Sequence, residues 1–478
     1  MLITDYLKIF AEKTPNKIAV HQLEDITYKE LHKRVLDFSN SFPKFLENSV
    51  ISLVYDNSID FVISYLGTIS AGHIAHLMSP EISKASFEYQ VKHANPEIII
   101  LDKSSIKKIE SFNLNREKLI EFSEFMKNKN TFDKKNPKPE KYAYLLFTSG
   151  TTSKPKGVPI THLQAEFTTK NIIKVLGYNS SDINLVPLPF FHSFGLGCIH
   201  TSILSGASLI IQKNSNDIKK ILQCFKDKKA TTLAAVPATL TTIIKNFRDP
   251  AEEIFSNSRL IMTNSTSIPI NTVKEFKKIL RNGNLATYYG LTEASRTTFM
   301  IFEKNLEKDM SVGVPAPDVQ IKIKKENNEE KGIIMIKGRN VIEKYWNNLE
   351  ADKFIKDGWI ETGDLGYLDS EGFLYLSGRK DDIINVAGNK VNPHEIENIV
   401  KEIQGIEEVI AVGKKHETFG NVIKLIIKKT REFEIKKSEI IAFCIKNMER
   451  YKVPIDIEFV EEFPKTEYGK IKRFMLQE

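Results

Sequence analysis

The 478-residue sequence predicts an α/β protein: a large N-terminal domain of mostly parallel sheets plus a small β subdomain, then a small mobile α+β C-terminal domain. Three observations predict it. Short apolar runs alternate with helical patterns through the first three quarters of the chain, as parallel sheets covered by helices require. After about Ser311 the runs shorten and polar turns join them, which reads as the β subdomain. Beyond the charged stretch GRKDD, Gly378 to Asp382, helix and strand patterns begin afresh over about a hundred residues, enough for a compact domain. The expected division is 1–379 and 380–478, with a hinge at the junction.

In chain order, Val50 to Tyr55 reads as a strand, Ile59 to Ile69 as a helix and Glu97 to Leu101 as a strand. The segment Asp102 to Lys141 mixes both charge signs with Asn and Pro, predicting an amphipathic helix and a solvated connection. Tyr142 to Phe147 is a buried strand. Further strands are expected at Ile183 to Pro187, Ser208 to Gln212, Thr231 to Pro237, Arg259 to Thr263 and Leu285 to Tyr289. The subdomain begins with Gln320 to Lys325 and Gly332 to Lys337, and GYLDSEGFLYLSG reads as a hairpin. In the last domain Pro393 to Ile403 and Lys437 to Met448 read as helices, flanking strands at Val409 to Val412 and Val422 to Lys428.

Composition narrows the function classes. At 41% hydrophobic and 27% charged the chain is an ordinary globular protein. Its net charge of +7 lies on the first 379 residues, because the last 99 hold 18 basic and 18 acidic residues. The excess is spread, which suits anionic small substrates and excludes a nucleic-acid stripe. Cys198, Cys224 and Cys444 are isolated, with neither metal spacing nor a disulfide framework, so a reducing compartment is expected. The opening MLITDYLKIFAEKTP is too charged for a signal peptide, and no run is long enough to span a bilayer. A cytoplasmic protein is expected.

The segment LLFTSGTTSKPKGVP, Leu145 to Pro159, is the first functional signal. It sets seven Ser, Thr or Gly residues and two lysines, Lys154 and Lys156, after a buried strand. Small residues let backbone N–H groups approach an anion, hydroxyls add donors, and the lysines favour a polyphosphate. The spacing is not that of a Walker loop, since Lys156 precedes Gly157 rather than following a second glycine. Pro155 and Pro159 argue against a helix, so a loop between strands is expected to close over phosphates.

Three more segments follow in order: YYGLTEAS at 288–295, WIETGDLGYLDSEGFLYLSGRKDDIINVAGNKVNPHEIE at 359–397, and PKTEYGKIKR at 464–473. With the loop, and with TPNKIAV and ITYKEL near residues 14–31, they closely resemble the adenylate-forming superfamily of acyl-CoA synthetases, firefly-type luciferases and peptide-synthetase adenylation domains. The resemblance covers nearly the whole chain. It implies that a carboxylate attacks the α-phosphate of ATP, giving acyl-AMP and pyrophosphate, and that a pantetheine thiol then takes the acyl group.

The resemblance also implies site residues. Thr148, Ser149, Gly150, Thr151, Thr152 and Lys156 belong to the loop that grips the β- and γ-phosphates. Tyr289 offers a ring to stack on adenine, and Gly290 permits close backbone approach. Thr292 donates to the α-phosphate, and Glu293 is a hard oxygen ligand for Mg²⁺. Asp364 resembles the carboxylate that holds both ribose hydroxyls, with Arg379 assisting. Lys470 stabilises charge developing on the phosphate oxygens. Asp381 occupies the family's hinge position, while Gly388 and Lys390 resemble the face presented for thioester formation.

In FFHSFGLG, His192 falls where many relatives place a gate beside the carboxylate, and the absence of an aspartate there disfavours an amino-acid substrate. Phe191, Phe194, Gly195 and Gly197 suggest an apolar fatty or aryl group. The turn TNSTSIP, Thr263 to Pro269, departs from the family's Gly-Gly-Ala-Pro-like turn and implies a narrower or more polar pocket floor. The sequence lacks the insertion typical of fatty-acyl-AMP ligases, which favours transfer to CoA or to the phosphopantetheine of a separate acyl carrier protein. Loading of a carrier protein only, a catalytically silent nucleotide-binding homologue and a luciferase-like oxidation stand as alternatives.

Overall fold

The structure, a computed structural model, describes all residues except 44–45, 47, 113–117, 129–136, 149–154, 265–267, 306, 326–329, 387–388, 417–419, 431–432, 465–470 and 477–478. Two sheets form the body. In the larger, six parallel strands run in the order Asn284–Tyr289, Leu260–Thr263, Thr232–Ala234, Ile183–Val186, Ser208–Ile211 and Ile18–His21. Antiparallel strands Thr298–Ile301 and Val314–Pro315 extend one edge and Asp25–Thr27 the other. The second sheet pairs Leu119–Glu121, Ile98–Leu101, Val50–Val54, Ile74–Met78 and Tyr142–Thr148 in parallel, closed by antiparallel Lys156–Thr161. Pro159 lies in that edge strand, where a missing N–H is tolerated.

The apolar runs account for most of this. Val50–Val54 and Ile74–Met78 are buried at every residue, as strands covered on both faces must be. Helix Ile59–Ser70 between them is buried on nearly all sides, starts with Ser58 accepting from the Phe61 N–H, and packs Gly67 onto the Phe38 ring. One cluster joins the facing sides of both sheets, from Ile51 and Leu53 to Val186 and Ala286. A second lies on the other side of the larger sheet, around Leu233, Phe255 and Phe276.

One reading needed adjustment, and the N-terminal strand was not among those expected. The segment Asp102 to Lys141 contains helices Ile106–Glu110 and Phe122–Phe125, and also strand Leu119–Glu121, which pairs with Ile98–Leu101. Its three residues are too few for an alternation to register in the sequence. The N-terminal strand Ile18–His21 is set by a partner about 190 residues away, so it too was invisible locally.

From 319 to 379 an antiparallel sheet pairs Val319–Lys324, Gly332–Gly338 and Trp359–Leu368, with Ile355–Lys356 and Leu374–Arg379 on the last. The predicted hairpin turns at Asp369, whose carboxylate accepts from the N–H groups of Glu371 and Phe373 at 3.0 and 2.9 Å. Beyond it, Asn389–Val391, Ile384–Val386, Gly420–Lys429, Ile406–His416 and Asp456–Val460 form a separate sheet carrying helices Pro393–Val400 and Lys437–Asn447. Its buried clusters, around Leu425 and around Phe463, draw only on residues from Ile384 onward. Among the described residues no helix is long and apolar enough to cross a membrane.

Candidate functional site

Ligands of open parallel sheets bind outside the carboxyl ends of the strands. The YYGLTEAS segment occupies such an end. Strand Asn284–Tyr289 stops at Gly290, where a Cβ would come within 2.7 Å of both the Ala294 carbonyl oxygen and the Arg296 nitrogen. The turn is closed by reciprocal bonds between Leu291 and Ala294 at 3.2 Å and by the Thr297 N–H on the Tyr289 carbonyl at 2.8 Å. Thr292 and Glu293 lie at its tip, both half-buried.

Tyr289, Asp364 and Arg379 form one group. The Tyr289 hydroxyl donates to Asp364 Oδ2 at 2.7 Å, and Arg379 Nε stands 3.4 Å from Asp364 Oδ1. Asp364 and Arg379 are cross-strand partners, so the sheet register fixes their approach. Burial, then the adjacent carboxylate, raises the Tyr289 phenol well above its usual range, so it remains a proton donor. The register makes Asp364 and Arg379 a pair.

Glu293, Tyr345 and Lys156 form the second group. The Tyr345 hydroxyl donates to Glu293 Oε1 at 3.1 Å. Lys156 Nζ lies 5.5 Å from the Tyr345 ring centre and 5.1 Å from that of Phe354. Burial raises the Glu293 carboxyl above its ordinary range, against the opposing pull of Tyr345, Lys156 and Arg379. Thr148 and Lys156 are register partners at the end of the hairpin of Tyr142–Thr148 and Lys156–Thr161, and Trp346 donates its backbone N–H to the Gly157 carbonyl at 2.8 Å. Ser149, Gly150, Thr151 and Thr152, with Lys154, lie outside the described residues.

His192 is the residue before helix Ser193–Ser205, its ring 4.7 Å from that of Phe191. Arg296, on the same turn as Glu293, donates to the Ser193 carbonyl at 2.7 Å and so ties the helix start to the turn. Gly195 and Gly197 do not open an apolar space. A Cβ at Gly195 would fall 2.2 Å from the Pro189 carbonyl oxygen, and one at Gly197 would fall 1.9 Å from Arg296 Nη2. Of TNSTSIP, Thr263 ends a parallel strand fully buried, while 265–267 lie outside the described residues.

Tyr289 ends its strand and Gly290, Thr292 and Glu293 form the turn beyond it; Thr148 ends one strand of a hairpin and Lys156 begins the other; Asp364 lies mid-strand opposite Arg379; and Arg296 joins the helix after His192 to the Glu293 turn. Asp381 sits exposed in the 3₁₀ turn Lys380–Asp382 at the junction. Gly388 and Lys470 lie outside the described residues, and Lys390 contributes its backbone to strand Asn389–Val391. The Lys472 N–H reaches the Pro464 carbonyl at 2.8 Å, and Arg473 bonds Glu397 of helix Pro393–Val400 at 2.6 Å and the Ala411 carbonyl at 3.3 Å. Tyr345 and Arg296 escaped the sequence reading. A Tyr-Trp pair in the polar run VIEKYWNN was the sole signal for the first, and an arginine directly after the glutamate motif for the second.

Glu293 is a single carboxylate, and among the described residues no cluster of three His, Cys, Asp or Glu could hold a metal alone. That fits a Mg²⁺ held by one carboxylate, waters and nucleotide phosphates, the usual arrangement for this ion.

Residues 7–346 match the AMP-binding enzyme family, and residues 395–470 match the AMP-binding enzyme C-terminal domain. The chain is 29% identical to a 2-succinylbenzoate–CoA ligase of Geobacillus sp. (strain WCH70), with 100% of this chain and 97% of that protein covered. It is also 29% identical to a long-chain-fatty-acid–CoA ligase of Bacillus subtilis (strain 168), covering 90% and 85%. Its fold superposes on o-succinylbenzoate CoA synthetase from Bacillus subtilis in complex with an acyl-adenylate intermediate, with a TM-score of 0.88, 25% identity, and 98% and 97% of the two chains covered. A family match over most of its length, at both the large and the small domain, makes this chain a member of the AMP-binding enzymes, the adenylate-forming superfamily.

Proposed function

We propose that the protein is an AMP-forming acid–CoA ligase, which activates a carboxylic acid with ATP and transfers the acyl group to the CoA thiol. The observation that carries this reading is the gathering of Asp364 and Arg379 at Tyr289, and of Tyr345 and Lys156 at Glu293, around one strand end and the turn that follows it. The CoA ligases among its full-length relatives support it.

In this reading Asp364 accepts from the ribose hydroxyls while Tyr289 and Arg379 hold its carboxylate in place. Adenine stacks on the Tyr289 ring. Thr292 donates to the α-phosphate, and Lys156 with the 148–157 loop neutralises the β- and γ-phosphates. Glu293 would hold Mg²⁺, which would supply charge neutralisation on the pyrophosphate. His192 borders the acyl carboxylate, which attacks the α-phosphorus as the bond to pyrophosphate breaks. Lys470 stabilises the charge that builds on the phosphate oxygens.

Rotation at Asp381 then withdraws Lys470 and presents Gly388 and Lys390. The CoA thiol adds to the acyl carbon as its proton leaves, and AMP departs. The domain division at 379/380 belongs to this reading. The substrate is an aliphatic or aryl acid.

The test is exchange of labelled pyrophosphate into ATP across a panel of carboxylic acids, followed by CoA and a phosphopantetheinylated carrier protein as acceptors. Exchange followed by CoA thioester is expected. Exchange with transfer to the carrier alone would replace CoA as acceptor, and ATP binding without any exchange would make the protein a silent homologue.

A further inference from the structure

Arg296 is a charge without a counter-charge. Its side chain is buried, with the residue only 5% exposed, yet among the described residues no carboxylate lies within ion-pairing distance of it. It donates to the Ser193 carbonyl at 2.7 Å and to the Ser295 hydroxyl, its guanidinium carbon lies 5.1 Å from the Tyr288 ring centre, and among the described residues its Nε has no hydrogen-bond partner. A guanidinium in such a place is costly unless an anion reaches it.

The surroundings are arranged around that group. Gly197 has no side chain where Nη2 sits. The Arg296 backbone is left-handed, with φ of 55°, an uncommon state for a bulky residue. It is held by the Thr297 N–H on Tyr289 and by Asn340, which donates to the Ser295 carbonyl at 3.1 Å and to the Thr297 hydroxyl at 3.2 Å. Four titratable neighbours that feel its charge are neutral at neutral pH. Burial pushes the phenols of Tyr144 and Tyr288 and the Cys198 thiol up to about 12, and pushes the His200 imidazole down to about 3. None of them supplies the anion.

Position along the helix separates this group from the reacting carboxylate. Gly197 follows His192 by five residues, roughly 7 Å along a helix axis at its rise per residue. We propose that Arg296 is a specificity-determining residue that binds a second anionic group of the substrate, so that the acid activated here is a dicarboxylate or an equivalently charged acid. This rests on the acid-activation reading above and on the place it gives His192. It replaces the apolar acyl group suggested by Gly195 and Gly197, since the space beside Gly197 holds a guanidinium. A planar guanidinium matches a carboxylate with two parallel hydrogen bonds. A site built for such a group rejects the analogue that lacks it, because its own donors are left unpaired.

The test compares linear α,ω-dicarboxylates of four to ten carbons and benzenedicarboxylates with their monomethyl esters, which keep the size and remove one charge. Two readouts are taken on the full chain: acid-dependent pyrophosphate exchange, and binding of the acid itself by calorimetry. Wild type should favour the free diacid over its ester by roughly 100-fold or more in kcat/KM. Arg296→Met should bring that ratio below about tenfold while improving use of the ester, and Arg296→Lys should keep part of it. The wild-type ratio needs no variant, so misfolding of Arg296→Met would not remove the test. Exchange that proceeds equally with ester and diacid assigns Arg296 a purely structural role and overturns the proposal. Preferential diacid binding without any exchange would keep the recognition and overturn the ligase reading instead. Neither binding nor exchange for any diacid would overturn both.

Discussion

Arg259 and Arg296 sit at opposite ends of the same parallel strands and differ in one respect. Arg259, at the amino end, lies over the Tyr178 ring at 5.2 Å and grips Asp182 with two bonds of 2.7 Å. Asp182 also accepts from the Thr231 hydroxyl at 3.0 Å and the Asn179 N–H at 3.0 Å, and Arg259 Nη1 reaches the Leu176 carbonyl at 2.9 Å. Every charge there is answered within the chain. Arg296, at the carboxyl end, also lies against a tyrosine ring, but its Nε and the nearby Thr263 hydroxyl lack partners among the described residues. The amino end is satisfied by folding, whereas the carboxyl end keeps, among the described residues, donors that folding does not pair.

The sharpest way to break this comparison is to remove each arginine in turn. Arg259→Met strands the Asp182 carboxylate, which is 2% exposed, and should lower stability by about 3 kcal/mol in urea unfolding, the range for a broken buried pair. Arg296→Met removes a charge that folding left unanswered and should shift stability by no more than about 1 kcal/mol. Equal losses at both sites would erase the distinction between the ends.

Lys470→Ala and Glu293→Gln probe the carboxyl end by rate, and each should slow adenylation roughly 100-fold, or about 2.7 kcal/mol. Neither should reduce stability. Because burial raises the Glu293 carboxyl, the native state holds that proton more tightly than the unfolded chain does. Wild-type stability should therefore fall as pH rises from the ordinary glutamate range through the raised native value, and Glu293→Gln should flatten that limb. A Glu293→Gln protein that melts earlier at neutral pH would contradict the sign. With Lys470→Ala, transfer from preformed acyl-AMP to the thiol should survive; equal loss of both half-reactions would deny it the role given above.

Asp381→Pro tests whether the junction moves. Proline fixes φ, so pyrophosphate exchange should stay near normal while thioester formation drops about tenfold or more. Paired half-reaction kinetics read this directly, and unimpaired thioester formation would place the pivot elsewhere.

The smallest effect lies beyond the junction. Burial lowers the His394 imidazole, but Glu397 at 2.9 Å and Asp382 at 3.8 Å outweigh it and raise its pKa. Its contribution is present below the ordinary histidine value near 6.5 and is lost as pH rises through the native one. His394→Gln should therefore cost about 1 kcal/mol near pH 6 and little at pH 8.5, the usual scale for a partly exposed ion pair. A loss that grows with pH would have the wrong sign.

Much of the fold was legible because burial on both faces leaves a continuous apolar run. Val50–Val54, Ser208–Ile211 and Leu260–Thr263 each sit within one residue of where the sequence put them. The residues proposed to face the nucleotide stood out for a different reason. Tyr289, Glu293, Asp364 and Arg379 lie in segments whose order and composition answer to one chemistry, so the family resemblance carried them. What tertiary structure alone decided is which polar side chains lose their water and what they then meet. Strand register put Arg379 against Asp364, and folding brought Tyr345 to Glu293 across 52 residues. Arg296 shows it most plainly: in sequence an arginine on a turn is a solvated charge, and only the packing of Gly197 and Tyr288 around it turns it into a buried cation with no counter-charge among the described residues. Hydrophobic pattern is a local property of the chain, but the desolvation of a charge and the presence of its counter-charge depend on residues far apart in sequence, and so only the folded molecule could set them.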